Sequence, residues 1–261
     1  MKSAAAAAVL ACAGCALPVI SANTFLPAGD LRQGDLQASI SMEAGRVLAG
    51  PSDVHDLPAT PPEAQKYEVS TWVASDASLR WQALGPLTLE LQIKLTNPIV
   101  PFTPNLAGAA VGARLRLLDR AGDGGLSLEL GARLVGVGAS QRIDRSRDGR
   151  SQTDTWNYRA FGVEVPAVLT YRVNPLFAVT ASPFLRAYWI RAWHTEVGLT
   201  QTQAALQYSP VLSGGLGGAV AFDLGPLTLS PGMAIELATR PGPGAATQFL
   251  FEPGVSVGVG F

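Results

Sequence analysis

The segment FLFEPGVSVGVGF, residues 249–261, decides the fold of this chain. Its apolar side chains fall on alternate positions, namely Phe249, Phe251, Val255, Val257, Val259 and Phe261. Apart from Leu250, the positions between them carry polar or small residues, namely Glu252, Gly254, Ser256, Gly258 and Gly260. A β-strand turns successive side chains to opposite faces, so this pattern predicts a strand with one apolar face and one bare, polar face.

The same alternation recurs along most of the chain. It is clearest in GDLQASISMEAG (34–45), LTLELQIKL (87–95) and LSLELGARLVGVG (126–138). Counting all such segments predicts ten strands, with short turns near residues 85, 122, 174 and 225 and long connections near 55, 102, 147, 200 and 243. The hexapeptide LGPLTL occurs at 84–89 and again at 224–229, which predicts two reversals at the same end of one sheet.

The composition excludes several classes of protein. Only 15% of the 261 residues are charged and 28 are glycine, which is unusual for a soluble enzyme. Beyond residue 22 charges or prolines interrupt every apolar run before it reaches the roughly 20 residues of a membrane-spanning helix. The net charge of −1 gives no basic field for nucleic acid, and no phosphate-binding, dinucleotide-binding or metal-ligand motif occurs. We expect one domain without a cofactor.

The first residues, MKSAAAAAVLACAGCALPVISAN (1–23), have the features of an export signal. Lys2 precedes an apolar run from Ala4 to Ala11, and small residues follow, which suits cleavage after Ala22. Cys12 and Cys15 leave open a lipoprotein-type cleavage with lipidation at either cysteine, and a redox or metal pair is a poor reading inside such a run. The predicted division is a signal peptide at 1–22, a periplasmic segment at 23–34 and a β-barrel at 35–261.

The strand pattern sorts charge onto one face. The side chains expected opposite the apolar face include Glu43, Glu68, Glu90, Lys94, Arg114, Arg116, Glu129, Arg133, Glu164, Arg186, Glu236 and Glu252. In lipid every backbone N–H and C=O must be paired internally, so a membrane sheet has to close on itself. The apolar faces then contact lipid and the charges line the lumen. An immunoglobulin-like sandwich is the alternative, but its crossovers do not sort turns by length so regularly.

A final strand of alternating apolar residues that ends in Phe resembles the assembly signal of bacterial outer-membrane β-barrel proteins. Val255, Val257, Val259 and Phe261 carry this resemblance. It implies an all-β, up-and-down antiparallel transmembrane barrel of the small porin-like kind, with periplasmic termini and long extracellular loops. The partners it implies are outer-membrane lipid, lipopolysaccharide and, during insertion, the barrel assembly machinery.

The resemblance leaves the function open between a small porin-like channel and a membrane anchor. The alternative is a non-conducting component of an envelope-spanning complex, such as the gliding machinery, whose loops bind a partner protein or lipopolysaccharide. The polar stretch SQRIDRSRDGRSQTD (140–154), expected to be a long loop, supports loop binding through Arg142, Arg145, Arg147, Arg150 and the nearby Arg159. Ten strands lie near the size at which side chains fill the lumen.

One wall of the lumen is expected to be nearly bare. Its residues are Ser213, Gly215, Gly217, Ala219 and Ala221 on one strand and Gly254, Ser256, Gly258 and Gly260 on the last. The bulky side chains expected opposite, which could fill the space, are Trp72, Phe184 and Tyr188.

An omptin-like surface protease is a remote alternative, because His55 and His194 are expected near the extracellular rim. The paired acidic motifs of that family are absent, so we expect no enzymatic activity.

Overall fold

The computed structural model describes residues 25–26, 31–49, 71–96, 105–119, 125–147, 150–197, 202–205, 209–240 and 246–261. They form strands β1 (Leu36–Ala49), β2 (Thr71–Leu84), β3 (Leu87–Thr96), β4 (Asn105–Asp119), β5 (Leu126–Arg147), β6 (Arg150–Asn174), β7 (Phe177–Val197), β8 (Thr202–Ala205), β9 (Ser209–Leu224), β10 (Leu227–Arg240) and β11 (Ala246–Gly260). Among these residues, no helix has the length and apolar character required to cross a membrane.

The strands form a closed antiparallel barrel. Strands β1 to β7 and β9 to β11 pair in chain order, and β1 pairs with β11, so ten strands complete the ring. The short β8 pairs with β7, beside the ring. At the closure, Gln37 lies opposite Gly260 and Glu43 opposite Gly254. The prediction of a ten-stranded up-and-down barrel is therefore confirmed.

The two LGPLTL hexapeptides make tight turns at the same end of the barrel, as predicted. Each turn contains a proline, and the carbonyl of Pro86 accepts from Arg116 N at 2.7 Å while that of Pro226 accepts from Gly260 N at 2.9 Å. The backbones differ, because Gly225 has a φ of 77° that strongly favours glycine. We call this end the turn end, and the opposite end the loop end.

Strands β5, β6 and β7 are far longer than the rest. They have 22, 25 and 21 residues, whereas β3 has 10, and a membrane-spanning strand needs roughly 9 to 11. At about 3.3 Å per residue, the seven or eight residues of each long strand that lie beyond the loop end span about 25 Å. Residues 141–147, 150–157, 191–197 and β8 make up this extension, which we call the projecting sheet.

The projecting sheet corrects one detail of the sequence analysis. The polar stretch 140–154 was expected to be a loop, but β5 continues to Arg147 and β6 starts at Arg150, with the two residues paired. The physical reason is that a strand is held by backbone hydrogen bonds, which polar residues form as apolar ones do, and Thr is a good strand former.

The outer surface of the ring is apolar around its circumference. In β3, for example, the Leu91 side chain is 49% exposed whereas its neighbour Gln92 is 0% exposed, so the alternation has the predicted sense. Aromatic residues lie toward the ends of the strands: Phe161 stacks on Trp189 at 5.6 Å, and Phe177 meets Phe222 edge-on at 5.8 Å. An apolar band flanked by aromatic residues is the surface that a lipid bilayer requires.

Candidate functional site

The lumen is the candidate site, because it collects nearly all of the charge of the ring. Its buried side chains include Glu43, Glu90, Lys94, Arg114, Glu129, Arg133, Glu164, Arg186, Glu236 and Glu252. Arg116 lies on the same inner face near the turn end, and Glu68 lies outside the described residues. The analysis of the sequence did not single out Arg80, whose guanidinium is also buried in the lumen. Arg80 lies four positions from Asp76 in β2, so the alternation already placed both side chains on the same face.

Glu90 is the centre of an ion-pair network. Arg114 donates to both of its carboxylate oxygens, each at 3.0 Å. The Nε of Arg133 lies 3.2 Å from Glu90 Oε2, and the Nε of Arg80 lies 3.7 Å from Glu90 Oε1. Gln92 donates an amide hydrogen to the same carboxylate at 2.7 Å. One carboxylate thus compensates three guanidiniums that come from three different strands.

The network continues across the barrel. Arg133 donates to Glu164 at 3.2 Å, and Glu164 also accepts from the Tyr188 hydroxyl. Arg186 lies 3.5 Å from Glu164 and donates to Glu236 at 2.7 Å. Because Arg186 is on β7 and Glu236 on β10, this last pair bridges over the intervening strand β9. A continuous path of alternating charges therefore crosses the lumen from β3 to β10.

Further contacts lie on either side of the network. Toward the turn end, Thr88 donates to Gln82 at 2.5 Å and Arg172 donates to Asp223 at 2.6 Å. Toward the loop end the lumen holds a buried apolar cluster of Ala110, Val135, Val137, Ala160, Tyr188 and Val211. The predicted residue Tyr188 therefore contributes its ring to the cluster and its hydroxyl to the charge network.

The predicted bare wall is present, and it is covered. Phe184 packs on Gly215, with the Arg186 guanidinium 4.4 Å from the centre of its ring. Trp72 belongs to β2, but its side chain lies outside the described part of the chain. The sequence analysis missed a second covering, because Phe25 and Leu26, which precede the barrel, are both buried within it. In the sequence, the glycines of β10 and β11 indicated that another part of the chain could pack on this wall.

The end of the chain closes the ring. Phe261 N donates to the carbonyl of Leu36 at 2.8 Å, and Leu36 N donates to the carbonyl of Phe261 at 3.2 Å. Val257 and Phe261 face outward, and the Phe261 side chain is 75% exposed. These contacts place the predicted signal residues on the lipid-facing side of the closing strand. Their role in assembly stays a prediction.

The other predicted sites are not brought together in the described residues. His194 pairs through its backbone with Trp156 and Ala204 in the projecting sheet, and His55, Cys12 and Cys15 lie outside the described ranges. Within those ranges no group of three or more His, Cys, Asp or Glu side chains could hold a metal ion.

Comparison with known proteins gives matches to solved structures alone. No protein-family model matches the sequence, and no curated protein matches it. The outer membrane protease OmpT from Escherichia coli is 10% identical, with 92% of this chain and 100% of that chain covered and a TM-score of 0.45. An outer membrane channel from Pseudomonas putida F1 is 10% identical, with 94% and 100% covered and a TM-score of 0.40. Ail, the attachment invasion locus protein of Yersinia pestis, is 12% identical, with 87% and 99% covered and a TM-score of 0.33. The resemblance is one of architecture.

Proposed function

We propose that this protein is an outer-membrane barrel with a closed lumen, which anchors the projecting sheet at the cell surface and has no enzymatic activity. The filled lumen carries this proposal. The central charges form hydrogen-bonded pairs that reach from β3 to β10, an apolar cluster lies on one side of them, and Phe25 and Leu26 cover the bare wall.

The energetics favour a closed lumen over a pore. A permeating ion would have to separate pairs such as Arg114 with Glu90 and Arg186 with Glu236, whose side chains are almost fully shielded from water. Breaking a buried pair leaves an uncompensated charge and costs about 3 to 5 kcal/mol. Toward the loop end the ion would then pass the apolar side chains of Val135 and Val211, which cannot replace its hydration.

The projecting sheet supports the anchoring role. Its strands extend well beyond the length that a bilayer requires, and they end in the hairpin between Arg147 and Arg150. Short turns at one end and long connections at the other are typical of barrels whose turn end faces the periplasm. We therefore propose that the sheet faces the outside of the cell and offers its arginine-rich hairpin to a partner protein or to lipopolysaccharide.

Planar-bilayer recording of the purified full chain tests the closed lumen. We expect no stepwise increase in ion current at any concentration of the folded, heat-modifiable barrel. Steps whose frequency rises with the amount of folded protein, and which the heat-denatured sample does not give, would refute the closed-lumen proposal and favour the small porin-like channel instead.

A shortened hairpin tests whether the projecting sheet is separate from the barrel. Ile143 pairs with Asp154, so replacing residues 144–153 with Asn-Gly leaves a two-residue hairpin turn. We expect the shortened chain to form the barrel in normal yield, because the removed pairs lie beyond the ring. Loss of the folded barrel would show that the sheet belongs to the barrel core and is not a displayed surface.

A further inference from the structure

One half of the lumen wall has almost no side chains of its own. The small lumen-facing residues of β9, β10, β11 and β1, in the middle of the barrel and toward the turn end, include Gly215, Gly217, Ala219, Ala221, Ser230, Gly232, Ala234, Gly254, Ser256, Gly258, Ser39 and Ser41. We call this surface the bare wall. The charge network extends from β2 to β7 on the opposite half, and its contacts with this half include Arg186 with Glu236 at 2.7 Å and Arg80 with Gln37 at 3.5 Å. Protein interiors are close-packed, so a wall of this kind needs an occupant.

The occupant is a segment that precedes the barrel. The Phe25 ring lies against the backbone of two paired glycines: a Cβ on Gly232 would come within 2.7 Å of the ring, and one on Gly254 within 2.5 Å. A Cβ on Gly258 would lie 3.4 Å from Leu26 Cδ2. Both side chains are 0% exposed. A Cβ at Gly232 or Gly254 would meet the ring and also a neighbouring carbonyl, that of Gly218 or Met42, so the absence of a side chain at these two positions lets the ring approach the backbone.

The segment reaches the lumen from the turn end. Arg116 donates to the carbonyl of Leu31 at 2.8 Å, and Gly34 N donates to the carbonyl of Gln82 at 2.9 Å. Leu26 then lies at Gly258, and Phe25 at Gly254, which pairs with Glu43 deeper in the barrel. Residues 31–34 therefore lie at the turn end, and Phe25 lies at about the middle of the lumen.

The barrel is complete without this segment. Each of the ten strands pairs with two neighbours, and β1 and β11 close the ring through their own ladder. Phe25 and Leu26 are held by side-chain packing on the bare wall, so removing them takes away filling and leaves the ladder intact.

We propose that the bare wall is a docking groove for Phe25 and Leu26 of the same chain, and that these two residues form a separable plug. With the plug removed, water reaches the bare wall from the turn end up to the level of Gly254. The apolar cluster at the loop end stays in place. This goes beyond the proposed function, because it assigns the closing of the turn-end half of the lumen to one replaceable segment.

Cysteine reactivity in the full chain tests the plug. Ser256 and Ser230 lie on the bare wall and are both fully buried, so Ser256→Cys or Ser230→Cys should react very slowly with a water-soluble maleimide. In the same chains carrying Phe25→Ser and Leu26→Ser, we expect labelling to accelerate by about tenfold or more. Val135→Cys, in the apolar cluster at the loop end, is the matched control and should stay protected. The parent chain without a reporter corrects for Cys12 and Cys15.

A peptide makes the test specific. A synthetic peptide of residues 23–34 should restore protection of the Ser256→Cys reporter in the plug variant, whereas a peptide with Ser at positions 25 and 26 should not. Unchanged labelling in a folded plug variant would overturn the proposal, and so would failure of the intact peptide to protect. If the double variant yields no heat-modifiable barrel, Phe25→Ala replaces it. Loss of the barrel in both variants would show that the segment is part of the fold and not separable.

These outcomes are independent of the proposed function. Wild-type conductance decides whether the lumen is closed, whereas reporter labelling decides what closes its turn-end half.

Discussion

Replacing Glu90 with Gln should destabilise the barrel more than any other single change of a lumen charge. Glu90 is 4% exposed and faces the guanidiniums of Arg114, Arg133 and Arg80 at 3.0, 3.2 and 3.7 Å. Removing one partner of a buried pair costs about 3 to 5 kcal/mol. Because three cations lose the same counter-charge, we expect the cost of Glu90→Gln to lie at the upper end, about 5 kcal/mol.

The assay is urea unfolding of the barrel in lipid vesicles, followed by the mobility of unheated samples on gels. The matched variant is Glu90→Gln with Arg114→Met, which removes the cation that donates twice to Glu90. We expect the double variant to be more stable than the sum of the single effects by about 0.5 to 3 kcal/mol. A cost for Glu90→Gln below about 1 kcal/mol, the range of exposed ion pairs, would refute the network as a stabilising element.

Three further predictions concern the outside, the end and the bare wall of the barrel. Leu91→Arg, in the middle of β3, should lower the free energy of unfolding by about 2 to 4 kcal/mol in the same assay. An equal loss for an Arg substitution at a strand end would contradict a lipid-facing surface, because the cost of Arg falls toward the membrane interfaces. Phe261→Asp should lower the yield of folded barrel in outer-membrane fractions more than Phe249→Asp, and equal depletion would remove the special role of Phe261. Gly254→Ala, whose Cβ meets the Phe25 ring and the Met42 carbonyl, should cost about 1 to 3 kcal/mol, while Gly260→Ala, with open space around it, should be nearly neutral.

The alternation of the strands was predictable from the sequence because it follows from geometry alone. Side chains on a strand have a period of two, so Leu89, Leu91 and Ile93 had to share one face, with Glu90 and Gln92 on the other. The structure exposes the first set and buries the second. The same reasoning oriented β4 and β5, and the repeated hexapeptide located two reversals at one end.

The partners within the lumen were not predictable in the same way. Arg186 meets Glu236, which is 50 positions away in the sequence and on a strand that is not its neighbour. That contact depends on the register of β7, β9 and β10 and on the small residues that β9 presents between them. Local sequence patterns carry no information about such a combination, so the sequence predicts the charges of the lumen but not their pairing.

The projecting sheet shows a second limit. Hydropathy reports the polarity of side chains, and most of residues 140–154 are polar. Backbone pairing is a separate property, and the ladder from Ser140 with Asn157 to Arg147 with Arg150 persists in water. A polar run between two long strands is therefore compatible both with a loop and with an extended hairpin.

The bare wall is best understood through what glycine costs in a strand. A strand glycine is less favourable than alanine by roughly 0.5 to 1 kcal/mol, and it offers no side chain to fill space. Gly232 and Gly254 face each other across one ladder, and Gly258 follows on the same face. Ordinary barrel side chains could have filled this half of the lumen without that cost, as they do around Glu90. A wall that keeps glycine where the Phe25 ring contacts the backbone is matched to an occupant from outside the ring, and this match is the physical basis for treating the segment as a plug.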